Sequence, residues 1–408
     1  MMTGTTAEIV LALMAMLLIA LLARPLARIS RLPFAALLVL IGFVGSEIVV
    51  RLGGDTGVRA QLFHDLVFYV FLPVLIFESA LNIDGRLLLK NLGAVLILAI
   101  PILLVSTLIT GALVYYGIAH PTGFPWIAAM LTGALLSATD PVAVVSLARE
   151  SGAPARLTTL LEGESLFNDA TAIVLFSILL GLAVHPAEVV GIGAGTLQFL
   201  IMFGGGTLVG LLVGMVTVFF LRMTGEETIR GLISIIAVYS AFILAEKHLH
   251  ASGVMAALML GLVVGRHVRE KDATRFLGHF WSLSAFVANA LLFLLMGVTI
   301  TLDMFEHRWL AMLIGIVGVL AARAVGIFIL TPAATRLTPD APIDFSSKAV
   351  LFWGGQRGAV TLALALSLPT ELDYWWTIQS IAFGVVVFTL FVQAPTIGLL
   401  LKRVRKSA

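Results

Sequence analysis

Asp140, Glu164, Asp169, Arg323 and Arg357 are ionisable side chains set inside long apolar stretches, and Glu78 lies toward the end of another. A charge near the centre of a bilayer costs about 2.5–3.5 kcal/mol on insertion scales, so each needs a reason to be there. Carboxylates in that setting bind and release protons or small cations. Asp140 stands in Ser137-Ala138-Thr139-Asp140-Pro141-Val142-Ala143. Pro141 has no N–H, its ring clashes with the Ser137 carbonyl, and it pushes Asp140 away from helical geometry. The expected result is a helix broken in mid-membrane, with free carbonyls and the Thr139 hydroxyl beside a carboxylate. Hard cations such as Na⁺ take all-oxygen shells of this kind. A simple proline kink with a capping aspartate is the alternative reading.

The next polar run is Glu162-Gly163-Glu164-Ser165-Leu166-Phe167-Asn168-Asp169-Ala170. At about 100° per residue, Glu164 and Asn168 share one helix face, as do Ser165 and Asp169. A helix that gathers two acids, an amide and a hydroxyl on one side turns that side either to a hydrated site or to a polar packing network. Glu162 falls nearer the helix end, in solvent. A third run, Trp353-Gly354-Gly355-Gln356-Arg357-Gly358-Ala359, holds three glycines in five residues, each costing about 1 kcal/mol of helix stability against alanine. It reads as a second broken helix with Arg357 at the break. Two arginines among several acids imply one permanent ion pair: Glu164 with Arg323, or with Arg357 as the second choice. A buried pair of that kind organises more than it stabilises. Asp140 and Asp169 are then left to bind and release ions. Glu78 either reaches the site from a facing helix or snorkels toward water.

These residues must be positioned by transmembrane helices. Of 408 residues, 60% are hydrophobic and 12% charged, a balance no water-soluble fold can cover. Apolar runs of about 20 residues recur throughout, while the ten-residue alternation of a membrane barrel is missing. The apolar segments run roughly 8–23, 33–50, 62–82, 90–117, 124–148, 157–182, 193–221, 228–247, 251–265, 279–300, 309–330, 346–368 and 376–401. The fold class is therefore an all-α polytopic membrane protein of about 13 transmembrane helices. Spans five and twelve, both interrupted and in matching places, suggest inverted repeats with two crossed broken helices.

Basic residues set the orientation. With 402–408 as a short basic cytoplasmic tail, thirteen spans put the N-terminus outside. Arg24, Arg28, Arg31, Arg86, Lys90, Arg149, Arg156, Arg222, Arg230, Arg266, Arg269, Lys271, Arg275, Arg336 and Lys348 then fall inside, against Arg51, Arg59, Lys247 and Arg308 outside. No Lys or Arg precedes the first apolar stretch, so that span is expected to be retained rather than cleaved. Cysteine is absent, which rules out disulfides and thiolate metal sites. Glu246-Lys247-His248-Leu249-His250 reads as a solvated outer loop, and Gly206, Gly210 and Gly214 as a small-residue stripe for close helix approach. There is no P-loop, zinc-protease motif or nucleophile elbow. Basic residues are scattered, so no nucleic acid partner is expected. The lipid bilayer is the partner of this surface.

Thr139-Asp140-Pro141-Val142-Ala143-Val144, Glu164-Ser165-Leu166-Phe167-Asn168-Asp169-Ala170, Phe77-Glu78-Ser79-Ala80, Ala251-Ser252-Gly253-Val254 and Gly355-Gln356-Arg357-Gly358-Ala359-Val360, in this combination, resemble the electroneutral sodium/proton antiporters of the NhaP and animal sodium/hydrogen exchanger group. The resemblance implies an NhaA-like antiporter fold and a homodimer. Its dimerisation part would span about 8–82 and 193–300, and its moving core about 90–182 and 309–401. It implies Na⁺ (with Li⁺) and H⁺ as substrates, no cofactor and a place in the cell membrane. It marks Asp169 as the ion-binding aspartate, with Asp140, Thr139 and Ser165 as further Na⁺ ligands, Asn168 as the sign of one-for-one exchange, and Glu78 as an accessory acid. K⁺/H⁺ exchange is the nearest rival; a passive cation channel and an intramembrane enzyme fit these motifs less well.

Overall fold

The computed structural model describes residues 6–30, 32–52, 66–118, 123–184, 191–269, 275–331 and 343–407, and the readings on Arg31, Arg59, Lys271 and Arg336 lie outside them. Lipid offers no hydrogen bonds, so each segment must satisfy its own backbone, and every regular element among the described residues is helical. In chain order the spans are α1 (Thr6–Ser30), α2 (Phe34–Arg51), α3 (Val67–Asn82), α4 (Leu92–Gly117), α5a (Trp126–Ser137) with α5b (Val142–Glu150), α6 (Ala155–Val184) and α7 (Ile192–Met223). There follow α8 (Glu227–His248), α9 (Gly253–Arg269), α10 (Arg275–Thr299), α11 (Leu302–Leu330), α12a (Phe345–Trp353) with α12b (Ala359–Leu366), and α13 (Trp375–Lys402). Ten of these stretches are long and apolar enough to cross a bilayer; α3 and α9 are shorter, and α12 is interrupted. Each corresponds to one of the apolar segments expected from the sequence.

The helices pack in two groups. One joins α4, α5, α6, α11, α12 and α13: α4 lies on α5a and α11, α5a on α6 and α13, and α11 on α13. The other joins α1, α2, α3, α7, α8, α9 and α10, with α2 and α1 on α10, α3 on α9 and α10, and α7 on α9. The α7–α9 crossing uses the small-residue stripe. A Cβ on Gly210 would collide with the Ala256 carbonyl and stand 2.8 Å from the Met259 Cβ, and one on Gly214 would stand 3.0 Å from the Val263 Cβ. Missing side chains let these backbones touch, which in lipid replaces the absent hydrophobic drive.

Glu246 departs from its sequence reading. It is not simply solvated: its Oε2 accepts the Gly253 N–H at 2.8 Å and so caps the start of α9, while the neighbouring Lys247 ammonium stands 4.9 Å from the Tyr69 ring centre. The link fixes α8 to α9 and α3 at one end of the second group.

Gly210→Leu is expected to destabilise the α7–α9 crossing by about 1–3 kcal/mol, the usual cost of overpacking. A lowered melting temperature of the detergent-solubilised protein on size-exclusion chromatography is the check; an unchanged value would show that the helices can separate there at no cost.

Candidate functional site

The two broken helices meet at their breaks. In α5, residues 138–141 leave helical geometry between Ser137 and Val142; in α12, residues 355–358 do so after Trp353 and Gly354. The Asp140 N–H donates to the Gln356 carbonyl at 2.7 Å, which stitches one unwound segment to the other. Four helix ends are thereby left in protein interior, and each finds a charged side chain. Arg357 Nε donates to the Leu136 carbonyl at 2.8 Å, at the C-terminal end of α5a, and another guanidinium nitrogen donates to the Gly355 carbonyl. Arg323, from α11, donates twice to the Leu351 carbonyl of α12a, at 3.2 and 2.8 Å. Asp140 serves both N-terminal ends: Oδ1 accepts the Val142 N–H of α5b at 3.2 Å, and Oδ2 accepts the Ala359 N–H of α12b at 3.4 Å. Cations at C-termini and an anion at N-termini follow the sign of the helix dipole.

The glycines of the second break make room for this. A Cβ on Gly355 would stand 2.7 Å from Arg323 Nε, and one on Gly358 would stand 2.6 Å from the Asp140 carboxyl carbon. Close approach of charge to backbone is what these positions need.

From α6, Ser165 Oγ donates to the Thr139 carbonyl, and Asn168 Nδ2 reaches the Thr139 hydroxyl at 3.4 Å. Thr139, Ser165 and Asn168 thus form one linked group on the α5 break. Asp169 follows Asn168 on α6, and Asp140 lies in the break that Ser165 and Asn168 of the same helix hold. Asn168 Oδ1 and Asp169 Oδ1 are buried and have no hydrogen-bond partner among the described residues. Glu164, one turn before Asn168 on α6, gives its two oxygens to both terminal nitrogens of Arg323, Oε2 at 3.0 Å; residue exposures are 1% and 4%.

The structure separates the two arginines. Arg323 faces Glu164, whereas Arg357 makes no ion pair among the described residues and gives its guanidinium to backbone carbonyls. It also stands apart in its backbone, whose N–H and carbonyl both meet the Thr389 hydroxyl, at 3.4 and 3.2 Å, in a π-helical turn of α13. Glu78 is not brought into the linked group: its Oε1 accepts from Asn82 at 2.6 Å and from Ser282 of α10 at 3.0 Å, so its bonds stay within the second packing group. Glu162 pairs with Arg149 at the far end of α5b.

Beside Asp140 lies a cavity of about 210 Å³ between the two packing groups, with Asp140, Gln356, Arg357 and Gly358 on one side and Phe34, Phe286 and Asn289 on the other. Sequence reading passed over Gln356 and Asn289. The signal for Gln356 was present, a polar residue between glycines in a break; Asn289 is a lone amide in an ordinary helix and gave none.

The chain matches the family described as the transmembrane sodium/hydrogen exchanger over residues 15–403. It belongs to the sodium/hydrogen exchanger family. Among relatives, the Na⁺/H⁺ antiporter ApNhaP of Aphanothece halophytica is 34% identical over 377 residues, 91% of this exchanger and 70% of the relative. The low-affinity Na⁺/H⁺ antiporter NhaS1 of Synechocystis is 34% identical over 396 residues, covering 94% and 72%. The sodium proton antiporter MjNhaP1 of Methanocaldococcus jannaschii superposes with a TM-score of 0.78 at 21% identity, over 98% of this exchanger and 99% of the other chain, and so shares its fold. The exchanger is a transporter, not an enzyme.

Removing one member of the buried pair leaves the other charge unmatched. Arg323→Met is expected to cost about 3–5 kcal/mol, and Arg323→Met with Glu164→Met to recover most of that loss. Melting temperatures of both variants test this, with ²²Na⁺ binding per folded protein expected to survive in the double variant. Full recovery of stability with abolished binding would place the pair in the ion site itself.

Proposed function

We propose that this exchanger moves Na⁺, and Li⁺ with it, against H⁺ in one-for-one electroneutral exchange, by competition of the two ions for Asp140 and Asp169. The supporting observation is the pair of unpartnered buried oxygens, Asn168 Oδ1 and Asp169 Oδ1, at the place where the broken helices meet. A buried oxygen without a donor is costly. A proton on Asp169 or a cation beside it removes that cost, and one excludes the other. Thr139, Ser165 and Asn168 are linked to the same break and supply neutral oxygens around the carboxylates.

Charge counting supports the stoichiometry. Two arginines, Arg323 and Arg357, stand among three acids, Glu164, Asp140 and Asp169. Fully ionised, this centre is one charge short of neutral. One Na⁺ or one H⁺ balances it, and a balanced centre crosses a low-dielectric barrier far more readily than a charged one. Exchange of one for the other then moves no net charge. The names of ApNhaP and NhaS1 as Na⁺/H⁺ antiporters support Na⁺ and H⁺ as the ions exchanged.

The cavity beside Asp140 lies between the packing groups, which suits alternating access by one group moving against the other. In this reading the core is about 90–182 and 309–401, and about 8–82 and 193–300 form the scaffold of a homodimer. The N-terminus faces outward and the C-terminus the cytoplasm of a cell membrane. Glu78, bonded within the scaffold, acts as an accessory acid on the cation's route.

In proteoliposomes reporting internal pH with a dye, Asp169→Asn is expected to abolish the Na⁺-driven signal while the protein stays folded; persisting exchange would remove Asp169 from the centre of the scheme. The unmutated protein should exchange Na⁺ at the same rate with and without an imposed membrane potential, and a K⁺ arm should give little signal. A steep voltage dependence would overturn the one-for-one count. Acidification should suppress Na⁺ uptake competitively, raising the apparent KM for Na⁺ as pH falls, since both ions neutralise the same carboxylates.

A further inference from the structure

A cation arriving from water must exchange its hydration shell for protein oxygens, and most of the cavity beside Asp140 cannot supply any. Phe34, Leu38, Phe286, Phe293 and Leu390 give it apolar walls. Its other charged side chain, Arg357, is cationic and already committed to the carbonyls of Leu136 and Gly355. Two neutral amides remain, Gln356 from the α12 break and Asn289 from α10. Gln356 is 4% exposed, its carbonyl holds the Asp140 N–H, and its side-chain Nε2 is buried with no partner among the described residues. That unmatched N–H is a donor and takes no cation, but the Oε1 of the same amide accepts no hydrogen bond among the described residues and, unlike Nε2, is not sealed in the interior, which leaves it the atom open to a cation at the cavity. Asn289 stands on the opposite wall, on a helix packed with α1, α2 and α3.

We infer that the side-chain amides of Gln356 and Asn289 are further cation-binding residues, replacing lost hydration as the ion reaches Asp140. The inference rests on the reading of Asp140 and Asp169 as the exchange site and extends it to both walls of the cavity. An amide oxygen coordinates a hard cation as water does but takes no proton at ordinary pH. Its contribution therefore falls on the metal ion and not on H⁺, and it biases the site toward an ion that fits between the two walls. Because Asn289 belongs to one packing group and Gln356 to the other, the pair can act together only while the groups are close. An ion bound between them favours that approach.

The test compares Gln356→Leu, Asn289→Leu and the double variant with the unmutated protein in proteoliposomes, using Na⁺, Li⁺ and K⁺. Each single change is expected to raise the apparent KM for Na⁺ about three- to tenfold, the usual effect of one lost polar contact. The maximal rate and melting temperature should be nearly unchanged, and the preference for Na⁺ over K⁺ should fall. Gln356→Asn and Asn289→Gln should recover part of the affinity, which a merely structural role would not predict. Wild-type KM values and ion preference in both leucine variants would overturn the inference, as would a loss confined to melting temperature. Failure of the underlying reading is distinguishable: the unmutated protein would then show no Na⁺-driven proton movement sensitive to Asp169→Asn.

Discussion

A helix broken inside a membrane exposes backbone groups where no water can reach them, and this debt of unpaired N–H and C=O groups shapes the centre of the molecule. Two such breaks face each other here, between Ser137 and Val142 and after Trp353. Their C-terminal ends are closed by Arg357 on the Leu136 carbonyl and Arg323 on the Leu351 carbonyl. Their N-terminal ends share the carboxylate of Asp140. Charge is brought into the membrane first to satisfy backbone, and those charges in turn require others. Glu164 answers Arg323 by accepting two hydrogen bonds, and Asp169 is the remaining acid of the set.

Seen this way, the structural and transporting parts of the centre are continuous. Unwound backbone at membrane depth persists only where protein or a water-lined cavity encloses it. The same enclosure leaves Asp140 at the edge of a cavity and one oxygen of Asp169 buried with no donor among the described residues. Gly355 and Gly358 serve both ends at once: without a Cβ they admit Arg323 and Asp140 to the backbone, and that contact holds the cavity wall in place. Moving one packing group past the other leaves these contacts intact, since both breaks, α6 and α11 lie on the same side of the divide.

Much of the architecture was legible in the sequence because hydrophobic length in a membrane is a local property. Each of the thirteen apolar runs became helical, ten of them long and apolar enough to cross a bilayer, and Asp140-Pro141 and the Gly354 to Gly358 run marked both breaks. What a sequence does not hold is which helices become neighbours. Helical period placed Glu164 and Asp169 on α6, and the pairing of Glu164 with Arg323, far along the chain, is the one expected first and the one found. Charge counting could not send Arg357 to carbonyls, since it offered that arginine only as the second partner for Glu164. Glu78 shows the same limit, because its spacing in α3 does not reveal that Ser282 of α10 stands opposite. Gln356 was in view inside a break, yet only packing made it a buried side chain with an unmatched N–H.

The two aspartates are consequently unequal, although both are carboxylates deep in the same centre. Asp140 divides its oxygens between two helix ends, each carrying about half a positive charge, so much of its negative charge is already met. Asp169 has no such support among the described residues: one oxygen is buried without a donor. In the proposed exchange, a cation entering the centre therefore gains most at Asp169 and uses the remaining lone pairs of Asp140 as a second anchor. On that proposal Asp140 fixes where the ion sits, because its position is tied to both breaks. Asp169 would decide whether the centre is loaded, because its charge is the one left over.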